Sequence, residues 1–149
     1  MLTSMDAYQD SYRYRLTIEP AAILEPGFVL DRDALETVRA QQQRLVDGRI
    51  HTIGNAQLYD LNSRFHEAVM ACSNNTFFID SLRRVDRLRR LIEYRRSLQR
   101  DRAALRCAEH MRIADLLLAG KRAEASAYLR KHLSSVSQEK TRRRVGTAE

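Results

Sequence analysis

Apolar residues recur at helical spacing along almost the whole chain. From Met5 to Leu24 the residues Tyr8, Tyr12, Leu16 and Ala22 or Ile23 fall on one side of a helix. Pro20 removes a backbone donor there, so the spacing predicts a kink or a restart at Glu19-Pro20. After the break at Glu25-Pro26-Gly27, Asp31-Arg32-Asp33 forms an N-cap signal for a helix from Arg32 to Val46, closed by Asp47-Gly48. A third helix is predicted from Thr52 to Ala71, with Leu58, Leu61, Phe65, Ala68, Val69 and Cys72 on one face. Ser73-Asn74-Asn75-Thr76 ends it and caps a fourth, Phe77 to Gln99, whose inner stripe reads Phe78, Leu82, Val85, Leu88 and Ile92. The fifth spans Asp101 to Ala119, with Gly120 as its C′ glycine, and the sixth runs from Arg122 to Lys140. No useful strand-period alternation and no internal repeat is present. The pattern predicts an all-α fold, an antiparallel bundle of about six helices.

Composition sharpens this picture. With 149 residues the chain has the length of one domain, read as 1–149 with residues 1–5 and 141–149 expected to fray. Five Gly and two Pro are few breakers, and both prolines lie near the N-terminus. Cys72 and Cys107 cannot build a disulfide framework and sit in helical patterns, which fits a reducing compartment. The sequence shows no signal peptide and no run near the roughly 20 apolar residues of a membrane span. The expectation is a soluble, cytoplasmic protein without membrane contact. A formal charge of +7, nearly all from arginine, attracts anions but does not say which.

Three of the four histidines face inward. His110 lies on the stripe Ala103, Cys107, His110, Ala114, Leu117, and His132 on the stripe Ala125, Tyr128, Leu129, His132, Leu133, Val136. His66 sits one turn after Asn62, so the two can address one point. Imidazoles suit Zn, Ni, Cu and Fe, and three of them with an open position would still accept a ligand carboxylate or water. A single inward histidine is more often a hydrogen-bonded core residue, and periodicity alone leaves both readings open. His51, at a helix start, reads as surface.

Several segments, in order and spacing, carry a family resemblance across nearly the whole chain. They are Tyr14-Arg15-Leu16-Thr17-Ile18-Glu19-Pro20-Ala21-Ala22, Asn62-Ser63-Arg64-Phe65-His66 and Ser73-Asn74-Asn75. Glu109-His110 with Ile113 and Gly120, then Ala125 with His132-Leu133, complete the set. The chain resembles the FadR-type C-terminal ligand-binding (FCD) domain of the GntR superfamily of bacterial transcription regulators. The resemblance implies a dimerising helical bundle that senses an effector. In many members a divalent metal is held by Asp, His, His, His, and a small carboxylate coordinates it. By position the ligands are His66, His110 and His132, with Asn62 where the family has aspartate. Asparagine can ligate through its carbonyl oxygen but brings no negative charge. Asp60 lies about 200° around the helix from Asn62 and is not expected to substitute.

The implied cofactor is a divalent transition metal, zinc or nickel. The implied partners are a small carboxylate effector and a second copy of the chain. DNA would be contacted only through a winged-helix domain, which is not expected within these residues. Arg15 matches a pocket arginine of the family, and a guanidinium can clamp a carboxylate by two parallel hydrogen bonds. Arg89, on the stripe with Val85 and Ile92, is a second effector-binding candidate within an arginine-rich run. Retention of all three histidines argues against the metal-free, acyl-thioester-binding branch of the family.

Three other functions compete, one of them a purely dimerising helical bundle. A three-histidine metal could activate water, but no acid or base was evident beside it, since Glu67 and Glu109 turn about 100° from their histidine neighbours. The chain is therefore not read as an enzyme. Arginines between Arg83 and Arg96 and at Arg142–Arg144 could contact phosphates, yet Asp86, Glu93 and Asp101 interrupt them and stacking aromatics are few.

Overall fold

The helical spacing is realised as six helices in the computed structural model, which describes residues 5–95 and 99–146, with side chains over 5–94 and 99–140. They are α1 (Met5–Ile23), α2 (Arg32–Val46), α3 (Asn55–Ala71), α4 (Thr76–Arg95), α5 (Arg100–Leu118) and α6 (Arg122–Gly146). A single 3-10 turn spans Arg49–His51, and no strand occurs among the described residues. The all-α bundle expected from periodicity is the fold. No described helix is long and apolar enough to cross a membrane.

Local chemistry sets the helix ends. Asp31 caps α2 by accepting from the Ala34 amide at 3.1 Å. Asn75 Oδ1 accepts from the Phe77 amide at 3.1 Å at the start of α4. At the end of α5, Gly120 takes φ +77°. Its amide reaches the Leu117 carbonyl while Lys121 reaches back to Leu116, a Schellman closure that favours glycine.

Several boundaries differ from expectation. Helix α1 runs through Pro20 without a restart, because the proline lies within a turn of the helix end and few backbone bonds are lost. Its carbonyl accepts from Ser126 Oγ at 2.7 Å, and Arg122 donates to the carbonyls of Ile23 and Glu25 at 2.9 and 2.8 Å. Helix α3 starts at Asn55, after the 3-10 turn that holds His51. Gln99 is the N-cap of α5 rather than the end of α4, and residues 96–98 lie outside the described set. Helix α6 continues to Gly146 instead of stopping near Lys140. Of the fraying expected at the termini, residues 1–4 and 147–149 lie outside the described set.

The inner stripe expected on α4 needs correction. Of Phe78, Leu82, Val85, Leu88 and Ile92, only Leu82 is buried. The buried face is Ile79, Leu82, Asp86, Arg89 and Glu93, one position around the helix. Burial of charge is possible there because Arg89 lies between Asp86 and Glu93 and meets both. Hydrophobic spacing cannot reveal a face built from mutually paired charges.

Packing closes the helices into a ring. Helix α1 packs on α6, α6 on α5, α5 on α2, α2 on α3, α3 on α4 and α4 on α1, while α1 also touches α3. The main core fills one end with Ile23, Leu35, Val38, Phe65, Val69, Ile113, Leu117, Leu129 and Leu133. Toward the other end a cavity opens, lined on α3 by Leu58 and Asn62, on α5 by Ala103 and Arg106, and on α6 by Val136 and Lys140. Reading along each helix, α1, α3 and α5 pass from cavity to core, and α4 and α6 from core to cavity. Helix α2 passes from Leu35 and Val38 in the core to Gln42. Neighbours in the ring are therefore antiparallel. Between core and cavity lies a layer to which every helix contributes.

Candidate metal centre

That layer contains the three histidines. Helices α3, α5 and α6 each place one imidazole a turn from the core residues Val69, Ile113 and Leu129. His66, His110 and His132 are 5, 2 and 3% exposed. Their Nε2 atoms converge: His66 to His110 is 3.0 Å and His110 to His132 is 3.1 Å. One ligand atom from each residue lies within 4.8 Å of the others. Phe65 stacks on His110, centroids 4.5 Å apart and planes 21° apart, which holds that ring in place.

The outer nitrogens decide the chemistry. His66 Nδ1 lies 2.6 Å from Glu19 Oε1, His110 Nδ1 2.9 Å from Gln42 Oε1, and His132 Nδ1 2.8 Å from Glu109 Oε1. Burial would push the Glu19 carboxyl up, but Arg15 and His66 outweigh it and hold it at about 2, so this carboxylate only accepts. The Glu109 carboxyl is likewise lowered: burial opposes ionisation, and the hydrogen bonds from His132 and Arg106 overcome it. Gln42 donates its amide to the Leu61 carbonyl and Asn62 Oδ1 at 3.4 and 3.2 Å, which turns its carbonyl oxygen to His110. All three Nδ1 atoms are thus donors.

Burial depresses all three imidazoles, His66 to about 4 against the opposing pull of Glu19, so they are neutral near pH 7. A neutral ring protonated at Nδ1 carries only a lone pair at Nε2. Three lone pairs therefore face one another with no proton to share, an arrangement that a cation satisfies. Zinc–nitrogen bonds of about 2.0–2.1 Å in tetrahedral geometry put ligand nitrogens roughly 3.3 Å apart, near the His66–His110 and His110–His132 separations. The pattern of imidazole backed by carboxylate or amide acceptor is the outer shell that metal-binding histidines require. The residues fit a transition metal.

The other candidates surround the same cavity, whose volume is about 110 Å³. Asn62 lines it, its carbonyl oxygen accepting from Gln42 Nε2 at 3.2 Å and from Cys107 Sγ at 3.7 Å. Arg15 is buried at the wall and gives Nε to Glu19 at 2.6 Å. Its terminal nitrogens have no hydrogen-bond partner among the described residues. Arg89 also lines the cavity. It donates to Tyr12 Oη at 2.9 Å and Glu93 Oε1 at 3.2 Å, under the rings of Tyr8, Tyr12 and Tyr59.

Sequence reasoning missed the residues that orient the histidines. Glu109 does turn away from His110, but it reaches across to His132 on the next helix. Gln42 could have been found, because it occupies a core position in the stripe Leu35, Val38, Gln42, Leu45, and a polar residue there needs a partner. Glu19 lies one turn from Arg15 on the same face. Glu93 and Lys140, which pair across the cavity at 2.6 Å, gave no local signal.

Comparison with curated proteins and with solved structures returned no match. A family model described as the FCD domain matches residues 10–135.

Proposed function

The chain belongs to the FCD domain family, and from that premise we propose that it is the effector-sensing domain of a GntR-type transcription regulator, binding a small organic acid at a divalent-metal site. The observation that carries this reading is the convergence of three proton-free Nε2 atoms on one cavity face, each imaged on its outer side by a hydrogen-bond acceptor. His66, His110 and His132 would hold the metal, zinc or nickel, with Asn62 as a fourth ligand through its carbonyl oxygen. The metal supplies a coordination position for an acid's carboxylate.

This chain's own residues do the rest. Glu19, Gln42 and Glu109 fix the tautomers. Leu58, Ala103, Leu133 and Val136 exclude water from part of the cavity. Arg15, whose terminal nitrogens have no partner among the described residues, and Arg89 neutralise the bound acid. The domain works in the cytoplasm as a homodimer and reaches DNA only through an attached winged-helix domain. Because all six helices contribute to the layer around the site, an acid drawing α1 and α4 toward the histidines shifts helix placement between the partners.

Calorimetric titration of a panel of small carboxylic acids into zinc-loaded and chelator-stripped protein tests this reading. Binding that appears only with zinc supports it. Binding of equal strength in both samples removes the metal from effector recognition.

A further inference from the structure

The cavity has a second charged pole that the histidine centre does not account for. Arg89 on α4 and Lys140 on α6 both converge on one carboxylate, Glu93, at 3.2 Å and at 2.6 and 2.7 Å. Tyr8 donates to the same carboxylate. The nearest other acid, Asp86, touches Arg89 at 3.4 Å, but burial pushes its carboxyl up to about 7, so it neutralises only part of the surplus. Arg15 is matched by Glu19 and adds nothing to the deficit. Two cations thus share little more than one anion.

Independent observations agree. Arg89 is 6% exposed, yet its Nε, fully buried, meets no acceptor among the described residues. Arg89 donates to Tyr12 Oη at 2.9 Å, and the Arg89 guanidinium and Lys140 Nζ lie 4.8 and 5.7 Å from the centre of the Tyr12 ring, so both cations meet at this wall. Tyr12, Arg89 and Lys140 all line the same cavity as the three histidines.

We propose that Arg89, Lys140 and Tyr12 form a second anion subsite, so that the effector is a short dicarboxylic acid rather than a monoacid. This rests on the metal-and-carboxylate reading above: one carboxylate meets the histidine centre and the other meets this wall. A volume of about 110 Å³ is well below the roughly 300 Å³ at which drug-sized ligands begin, which favours a backbone of a few carbons. The second carboxylate relieves Glu93 of serving two cations.

The test titrates zinc-loaded protein with matched pairs of equal carbon count, succinate against butyrate and malonate against propionate. A diacid should bind at least about tenfold tighter than its monoacid, the factor expected from one additional charge-assisted hydrogen bond. K140Q, shown to be folded by circular dichroism, should erase much of that preference while leaving monoacid affinity and zinc content unchanged. R89Q should also reduce the preference for the diacid. Equal affinity for diacid and monoacid, or equal weakening of both by K140Q, overturns the subsite alone. No binding by any acid to zinc-loaded protein overturns the subsite together with the reading beneath it.

Discussion

Gln42 Oε1 accepts a hydrogen bond from His110 Nδ1 at 2.9 Å, and this contact decides which nitrogen of His110 faces the cavity. Gln42 is wholly buried on α2, and its amide is held in turn by Leu61 and Asn62. The relay runs from α3 through α2 to α5, so the tautomer of one ligand depends on three helices.

Replacing Gln42 with leucine preserves volume but strands the His110 Nδ1 proton in the interior. Leaving a buried donor unpaired costs about 1–3 kcal/mol. Urea unfolding of Q42L should show a loss in that range together with weaker zinc binding. A variant as stable as the parent, with unchanged zinc affinity, would remove Gln42 from its orienting role.

Glu109 offers a cleaner separation of metal binding from stability, because its side chain is only partly buried. Substituting an outer-shell partner of a ligand histidine lowers metal affinity about 10–100-fold. Competition with a chromophoric chelator should find E109A in that range, with a circular dichroism spectrum like the parent's. Unaltered affinity would mean that His132 is oriented by something other than Glu109.

How much of this was legible beforehand follows from the physics of each residue. The helices were readable because their apolar spacing and end signals, Asp31, Asn75 and Gly120, act locally. His66, His110 and His132 were readable as inward-facing for the same reason, and the structure brings all three together. Glu109 and Gln42 act between helices, and no spacing along one helix encodes a partner on another. The charged face of α4 was misread because Asp86, Arg89 and Glu93 are tolerable inside only as a mutually paired set. Pro20 was over-read, since a proline near a helix end costs less than one at its centre.

Glu93 predicts a pH signature. Burial would push its carboxyl up, but Lys140 and Arg89 outweigh it and hold the group at about 2 against an ordinary 4.5. With the folded value depressed, the stabilisation is fully present above about 4.5 and is lost as pH falls toward about 2. E93Q should therefore be less stable than the parent at neutral pH, and the gap between their urea midpoints should narrow as pH falls through that window. A gap that stays constant to pH 3 would show that Glu93 has no depressed pKa in the folded state.

Metal should also appear in thermal stability, because a ligand that binds only the folded chain stabilises it by mass action. At about 100 times the dissociation constant the gain is roughly 2.7 kcal/mol. For a domain of this size that corresponds to a Tm increase of about 5–10 °C. Stripping with a chelator should lower Tm by this amount, and zinc should restore it. A Tm indifferent to both would indicate histidines that only pack.

The most direct measurement is the metal content of protein purified without chelator and without nickel resin, beside H110A shown to be folded by circular dichroism. The account predicts about one transition-metal ion per chain in the parent, consistent with one three-histidine centre, and its loss in H110A. No metal in the parent, even after zinc is added, or equal metal in both proteins, would contradict the claim that His66, His110 and His132 form a metal centre.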